Sequence, residues 1–227
     1  MKTSILFLVS CLLVLSPSFA QNGYQVRVGS GYNLNYQPYL QQSFNRFPNQ
    51  AFTVTQLLEA LYYKNTKRNG RLYAGIGYER TPYLYKNLIM FMPAMDAMTI
   101  APTELLSTSK SVEHFIYVPI RYQHFLGKKK NIILGANFAQ QFALFSHTKN
   151  TFEIINGTGT RIVHNYNFMF SASAALQLES GYRFRIHDKY ELLAVAYVKA
   201  QGNPFDLRFF GYTLQPGISL SFSLPNS

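Results

Sequence analysis

The fold is decided by the alternating stretch YQVRVGSGYNLNY, which runs from Tyr24 to Tyr36. Its even-numbered positions are apolar or aromatic apart from Ser30, whereas its odd-numbered positions are polar or glycine and include Arg27. Successive side chains of a β-strand point to opposite faces, so the pattern predicts a strand with one apolar and one polar face. Similar alternation returns in five further segments, at residues 72–78, 116–122, 132–144, 166–178 and 212–224.

Two less regular segments bring the predicted number of strands to eight. Residues 53–64 mix apolar and polar side chains on both faces, and their QLLEAL core at 56–61 is also compatible with a helix. Residues 190–199 are apolar on both faces, as expected for a fully buried strand. We interpret both segments as strands.

The predicted connections alternate in length along the chain. Those after odd-numbered strands are long, at 37–50, 81–112, 146–160 and 200–211, and those after even-numbered strands are short, at 65–70, 127–130 and 187–189. Outer-membrane β-barrels have short periplasmic turns and longer extracellular loops. The sequence therefore predicts an all-β fold, an antiparallel up-and-down transmembrane β-barrel of eight strands that forms one domain at residues 21–227.

The amino-terminal residues predict export from the cytoplasm. Lys2 precedes an apolar run from Ile5 to Leu15, and a small-residue pattern ends at Ala20. These features are typical of a secretory signal peptide at residues 1–20 that is cleaved between Ala20 and Gln21. The alternative is a lipoprotein signal at Cys11, the single cysteine of the chain. Cleavage after Ala20 leaves no cysteine, which excludes disulfides and thiolate metal sites.

Composition and charge narrow the classes of function. The formal net charge is +11, and the chain has 17 Tyr, 19 Phe and no Trp. The export signal, and basic residues grouped in short turns rather than along one face, argue against nucleic-acid binding. Tyrosines near the strand ends favour a lipid-facing surface with interfacial aromatic girdles. The alternative is a soluble or membrane-embedded barrel that binds an apolar small molecule. The soluble form would be lipocalin-like and would turn the same apolar faces inward.

Two hairpin segments resemble a known family of membrane proteins. The run VEHFIYVPIRY at 112–122 continues through FLGK at 125–128 into IILGA at 132–136, and GYRF at 181–184 leads to DK at 188–189. These residues resemble the "IPLxxxYxFG-K" hairpin of small Bacteroidota outer-membrane β-barrel proteins, the PorT-like group. The resemblance implies an outer-membrane location and insertion by the barrel assembly machinery. Such barrels usually end in an aromatic residue, whereas here Phe222 is followed by SLPNS.

The predicted register places four charged residues on the polar, inward faces of the strands. They are Arg27, Glu79, Arg121 and Glu179. Charge in a narrow barrel interior is costly unless it is paired. We therefore predict an interior charge network with at least one Arg–Glu contact.

The longest predicted loop carries an unusual group of methionines. Met90, Phe91, Met92, Met95 and Met98 all lie within residues 81–112. Flexible Met-rich surfaces often bind partners or apolar ligands, so these residues form a candidate interaction patch for an envelope protein or an apolar ligand. The alternative is that the loop folds down and caps the barrel mouth.

Basic residues are concentrated in two of the short connections. They are Lys64, Lys67 and Arg68 at one turn and Lys128, Lys129 and Lys130 at another. One interpretation is contact with anionic lipid headgroups or the cell wall. The other is an ordinary solvated turn.

No catalytic, cofactor or metal motif stands out in the sequence. The five histidines lack metal-ligand spacing, and Gly75-Ile76-Gly77 lacks the third glycine and the helix of a nucleotide-binding loop. We expect a non-enzymatic outer-membrane protein without a cofactor, surrounded by outer-membrane lipid. Its expected role is envelope structure, contact or ligand capture through the outward loops. A barrel-embedded lipid hydrolase is the enzymatic alternative.

Overall fold

The computed structural model describes residues 22–36, 49–51, 53–66, 69–92, 103–154, 160–168, 172–186, 190–202 and 212–225. The predicted signal peptide and its cleavage site at Ala20 and Gln21 lie outside these residues. The strands are β1 (Asn22–Tyr36), β2 (Asn49–Ala51), β3 (Thr53–Asn65), β4 (Gly70–Met92), β5 (Thr103–Leu126), β6 (Ile132–Ile154), β7 (Thr160–Phe168), β8 (Ala172–Ile186), β9 (Tyr190–Gly202) and β10 (Tyr212–Pro225). Within the described residues, no helix has the length and apolar character needed to cross a membrane.

Eight of these strands close into a barrel in which all neighbours are antiparallel. The order around the barrel is β1-β3-β4-β5-β6-β8-β9-β10, and β10 pairs back with β1. Near the start of β1, Gly23 lies opposite Pro225 on one side and Tyr63 on the other. The predicted closed, eight-stranded, antiparallel barrel is confirmed.

The short connections lie at the end of the barrel where β1 begins and β10 ends. At the first, the Thr66 amide donates to the Gly70 carbonyl at 2.8 Å, and Asn69 takes a left-handed backbone conformation with φ of 57°. At the second, the Lys130 amide donates to the Gly127 carbonyl at 2.9 Å. Residues 187–189 lie outside the described residues, but the strands that flank them pair up to Ile186 and Tyr190. We call this the turn end.

The opposite end differs from the prediction because three strands continue well beyond the barrel. β4, β5 and β6 are 23, 24 and 23 residues long, whereas β1 has 15. β2 pairs with the extension of β4, and β7 pairs with the extension of β6. We call this extension, built from β2, residues 80–92, 103–114 and 144–154, and β7, the outer sheet. Most residues of the predicted loops at 81–112 and 146–160 therefore belong to strands.

Irregularities in the ladder explain why the outer sheet does not follow from the sequence alternation. The pairing of β5 with β6 shifts between His114 and Phe115, so that Leu144 is an extra residue on β6. An extra residue reverses which face the following side chains occupy. A second shift lies between Tyr85 and Leu88 on β4. The predicted strand at 166–178 is likewise divided, between β7 and β8.

In the barrel strands, even-numbered side chains form an apolar outer surface and odd-numbered side chains fill the interior. The even-numbered residues of β1 point outward, and Tyr24, Val26, Val28 and Tyr32 are each more than half exposed. Between the two rims of the barrel, from just above the turn end to the level of Tyr78 on β4, no described outward-facing residue is Asp, Glu, Lys or Arg. Ten residue steps from Tyr24 to Leu34, at about 3.3 Å each and a tilt of about 40°, give a belt about 25 Å high.

Candidate functional site

The centre of the barrel holds four buried charges that pair with one another. Arg27 Nη1 lies 2.7 Å from Glu179 Oε1 and 3.6 Å from Glu59 Oε2. Arg121 bridges the same two carboxylates, with Nη2 at 2.5 Å from Glu59 Oε2 and Nε at 3.0 Å from Glu179 Oε1. All four residues are at most 5 % exposed. Two cations and two anions make this central cluster neutral, which is the condition for keeping charge away from water.

Neutral polar side chains satisfy the remaining oxygens of the central cluster. Gln123 and Gln177 donate their side-chain amides to Glu179 at 2.8 and 2.7 Å. The Tyr117 hydroxyl donates to Glu59 Oε1 at 2.9 Å. Hydrogen bonds of this kind fix the carboxylates in place. The four charged residues come from β1, β3, β5 and β8. Cation–π contacts of Arg27 with Tyr197 and of Arg121 with Tyr73 connect the cluster to β9 and β4 as well.

A second buried pair lies toward the outer sheet. Glu79 on β4 accepts from Lys199 Nζ on β9, with one oxygen at 2.6 Å. Gln141 donates to the same carboxylate at 3.2 Å and Thr81 at 3.0 Å. The pair is neutral and spans the lumen between strands that are not neighbours.

The structure places all four sequence-predicted charges inside the barrel, but it divides them. Arg27, Arg121 and Glu179 meet in the central cluster, whereas Glu79 pairs with Lys199. Sequence reasoning missed Glu59 and Lys199. Both lie on strands with apolar side chains on both faces, so alternation alone does not reveal which way they point. The four predicted inward charges, two Arg and two Glu, already balance, so counting charges gives no signal for Glu59 or Lys199 either.

Glycines make room for the large rings that fill the lumen. A Cβ on Gly77 would lie 2.2 Å from Cζ of Tyr117, and one on Gly217 would lie 2.5 Å from Cζ of Tyr197. Both rings thus lie directly over a glycine on the neighbouring strand. Gly77 belongs to the GIG motif, whose role here is to admit Tyr117, the ring that donates to Glu59.

Between the central cluster and the turn end, the lumen is closed by apolar and aromatic side chains. One group consists of Phe125, Ile133, Leu193 and Val195, and a second of Leu61, Tyr63 and Tyr73. On the other side of the central cluster, the cavity beside Tyr117, Asn137 and Lys199 has a volume of about 10 Å³. That is space for about one water molecule at most. The interior is therefore packed, as expected of eight strands.

The turn end carries a third charged group, which adjoins a cavity at the rim of the barrel. Arg71 and Arg183 both bind the carboxylate of Glu191, and Arg183 Nη1 lies 3.4 Å from Glu191 Oε1. The two guanidinium groups stack on rings, Arg71 at 4.4 Å from the Tyr63 centroid and Arg183 at 4.1 Å from that of Phe125. They line a cavity of about 410 Å³, which we call the rim pocket. Its further lining residues include Asn65, Asn69, Lys130 and Arg185.

The predicted methionine patch is only partly within the described residues, and it is not a simple loop. Met90, Phe91 and Met92 belong to β4 and lie opposite Leu105, Glu104 and Thr103 on β5. The loop assignment was therefore wrong for these three residues, because cross-strand pairing continues past the bulge at Tyr85. Met95 and Met98 lie outside the described residues, and the proposed binding role of the patch stays a prediction.

Comparisons with known proteins return no matching family model and no matching curated protein. Among solved structures, the chain is similar to Neisserial surface protein A, at 11 % identity over 89 % of this chain and 97 % of that one, with a TM-score of 0.39. It is also similar to Ail, the attachment invasion locus protein of Yersinia pestis, at 8 % identity over 91 % and 99 %, with a TM-score of 0.35. The third is the outer membrane protein OprG of Pseudomonas aeruginosa, at 8 % identity over 91 % and 96 %, with a TM-score of 0.38. The fold of this chain is established by its own strand pairings.

Proposed function

We propose that this chain is a non-enzymatic outer-membrane β-barrel protein that contacts other envelope components through its outer sheet. The observation that carries the membrane placement is the inverted distribution of side chains. Charged groups such as Arg27, Arg121 and Glu179 are buried inside, while leucines, valines and tyrosines are exposed on the outside. Lipid favours this arrangement, because it requires an apolar surface and a closed sheet without free edges.

The same distribution argues against the soluble, lipocalin-like alternative. A ligand-binding soluble barrel needs an apolar cavity inside and a polar surface outside. Here the exposed belt includes Leu176, Leu178, Ile218 and Leu220, each more than half exposed. Soluble monomers rarely expose apolar patches of more than a few hundred Å². The charged central cluster and the small cavity beside Tyr117 also make the described part of the interior unsuited to an apolar ligand.

The PorT-like resemblance is kept as part of this proposal. The residues that carry it form the end of β5, the turn Gly127–Lys130 and the start of β6, with a second set on β8. They thus lie at the turn end, which we assign to the periplasm because short turns face that side in outer-membrane barrels. The chain end beyond Phe222 continues in strand to Pro225.

The outer sheet is the feature that favours a contact role. β7 pairs with β6 on one side, and its side chains are exposed along nearly its full length. Tyr166 is 69 % exposed and Phe168 is 84 % exposed. Exposed aromatic side chains on a strand edge are typical of surfaces that add a further strand or bind a partner.

Cell fractionation together with gel mobility tests the membrane placement. We expect the protein in the outer-membrane fraction, with faster migration before boiling than after, because a closed barrel resists the denaturing detergent of the gel until it is heated. Recovery in the soluble periplasm, or mobility that does not change on heating, would contradict the proposal.

Photo-crosslinking tests the contact role separately. A photoreactive residue at Tyr166 should give adducts with an envelope protein in intact cells, and one at Val28 in the apolar belt should give lipid adducts only. If neither position gives adducts with a protein, the result argues for a purely structural barrel. Release of fatty acid from membrane lipid by the purified protein would favour the hydrolase alternative.

A further inference from the structure

Among the described residues that line it, the rim pocket gathers more positive than negative charge. Arg71, Arg183, Arg185 and Lys130 stand there against the carboxylate of Glu191. The charge surplus distinguishes this group from the two interior groups, which are neutral. A cavity of about 410 Å³ adjoins these side chains, so a ligand has space to approach them.

Two of the four cations are held rigidly. Arg71 Nε donates to Asn65 Oδ1 at 2.7 Å, and Arg183 donates to the Lys130 carbonyl. Both guanidinium groups also stack on rings, as described above. Side chains fixed in this way lose little conformational freedom when an anion binds, which raises the affinity of a site.

Arg183 has donor capacity left over. It is 4 % exposed, and its buried Nε has no hydrogen-bond partner within the described structure. This Nε is shielded from solvent, so an anion in the pocket meets Arg183 through its Nη atoms instead. Each Nη carries a second N–H beside the one that contacts Glu191 or the Lys130 carbonyl. Arg185 is exposed and lines the same pocket.

We propose that the rim pocket is a binding site for a phosphate group, with Arg183, Arg185 and Lys130 as its main donors. A phosphate group carries more negative charge than one carboxylate and offers several acceptor oxygens, which matches the surplus of cations. The phosphate is supplied either by a lipid headgroup of the adjoining leaflet or by a free phosphorylated molecule. The direction in which the pocket opens, toward the periplasm, and the lipid headgroup as a source both rest on the proposed function, whereas binding of a free phosphate group does not.

Titration of the purified, folded barrel with inorganic phosphate in neutral detergent tests the site, at constant ionic strength. We expect saturable binding by calorimetry, weakened about tenfold or more in Arg183→Gln, since hydrogen bonds to charged groups are the strong ones. Arg185→Gln should weaken binding without affecting folding, which keeps the test valid if Arg183→Gln does not fold. Lys149→Gln removes the same charge in the outer sheet and should bind like the wild type.

The source of the phosphate is distinguished by repeating the titration in lipid nanodiscs. If a headgroup fills the pocket, nanodiscs containing phosphatidylglycerol will bind free phosphate more weakly than the detergent-solubilised protein. If a free molecule is the ligand, both will bind it equally. No saturable binding in detergent, or equal losses in Arg183→Gln and Lys149→Gln, would overturn the site. The titration in detergent does not depend on cell fractionation, so it tests the phosphate site even if the proposed membrane placement fails.

Discussion

At the scale of single residues, the interior charges depend on one another because none of them reaches water. Glu179 is shared by Arg27, Arg121, Gln123 and Gln177. Removing the carboxylate leaves two guanidinium groups with one remaining counter-charge, Glu59. The energetic effect is therefore dominated by orphaned cations rather than by the loss of one hydrogen bond.

We predict that Glu179→Ala lowers the free energy of unfolding by about 3 kcal/mol, because it leaves buried Arg side chains unpaired. Urea unfolding of the barrel in lipid vesicles measures this change. Glu153→Ala, at an exposed position of the outer sheet, is the control and should stay within about 0.5 kcal/mol of the wild type. An unchanged unfolding midpoint in Glu179→Ala would show that the central cluster is not formed.

We predict that Gly77→Ala destabilises the barrel by about 1–3 kcal/mol, because the new methyl group displaces the Tyr117 ring and its hydrogen bond to Glu59. Ala74→Val, three residues earlier and on the outward face of the same strand, should have little effect. The same urea assay compares the two. Equal stability of Gly77→Ala and the wild type would mean that Tyr117 does not lie over Gly77.

At the scale of the elements, the barrel divides into a regular cylinder and an irregular extension. The described pairing within the cylinder has no register shifts, whereas the extension has bulges, one at Leu144, where the outer sheet begins on β6, and one between Tyr85 and Leu88 on β4. Bulges bend strands and increase their twist, so they provide a physical reason why the extension does not continue the regular pairing of the cylinder.

The two ends of these elements should respond differently to an impermeant thiol reagent. We predict that cysteines at Lys110 and His164, in the outer sheet, are labelled on intact cells and that a cysteine at Lys129, at the turn end, is not. The predicted removal of Cys11 with the signal peptide makes each introduced cysteine unique. Labelling at Lys129 but not at His164 would show that the topology is inverted.

The element scale also shows how far the sequence alone predicts this structure. Period-two alternation, as in Tyr24–Tyr36, predicts six of the eight barrel strands, because one face of each strand meets the filled lumen and the other faces outward. The outer sheet does not follow, because bulges break the period. Glu59 and Lys199 do not follow either, since lumen-facing neighbours such as Leu57, Leu61 and Val195 make both faces of their strands apolar.

At the scale of the whole molecule, layers of side chains block the barrel along its axis. Lys199 with Glu79, the central cluster and the apolar layer around Phe125 and Leu193 follow one another from the outer sheet to the turn end. A molecule built in this way offers surfaces at its two ends rather than a passage through its centre.

We predict that the purified protein shows no stable conductance of porin size in a planar bilayer, because the lumen of eight strands is filled. Single-channel recording at neutral pH measures this. A porin reconstituted under the same conditions is the positive control. Reproducible large steps would mean that the layers open or that several copies form a pore.

The most direct test of the whole account is the collision accessibility of spin labels placed in turn at Ala175, Leu176, Gln177 and Leu178 in lipid nanodiscs. Even-numbered positions face outward and odd-numbered positions face the lumen. We predict that labels at 176 and 178 are accessible to oxygen dissolved in lipid and shielded from a water-soluble nickel complex, whereas a label at 177 is shielded from both. Accessibility of 176 and 178 to nickel, or no alternation along the four positions, would contradict a barrel with its apolar face in the membrane.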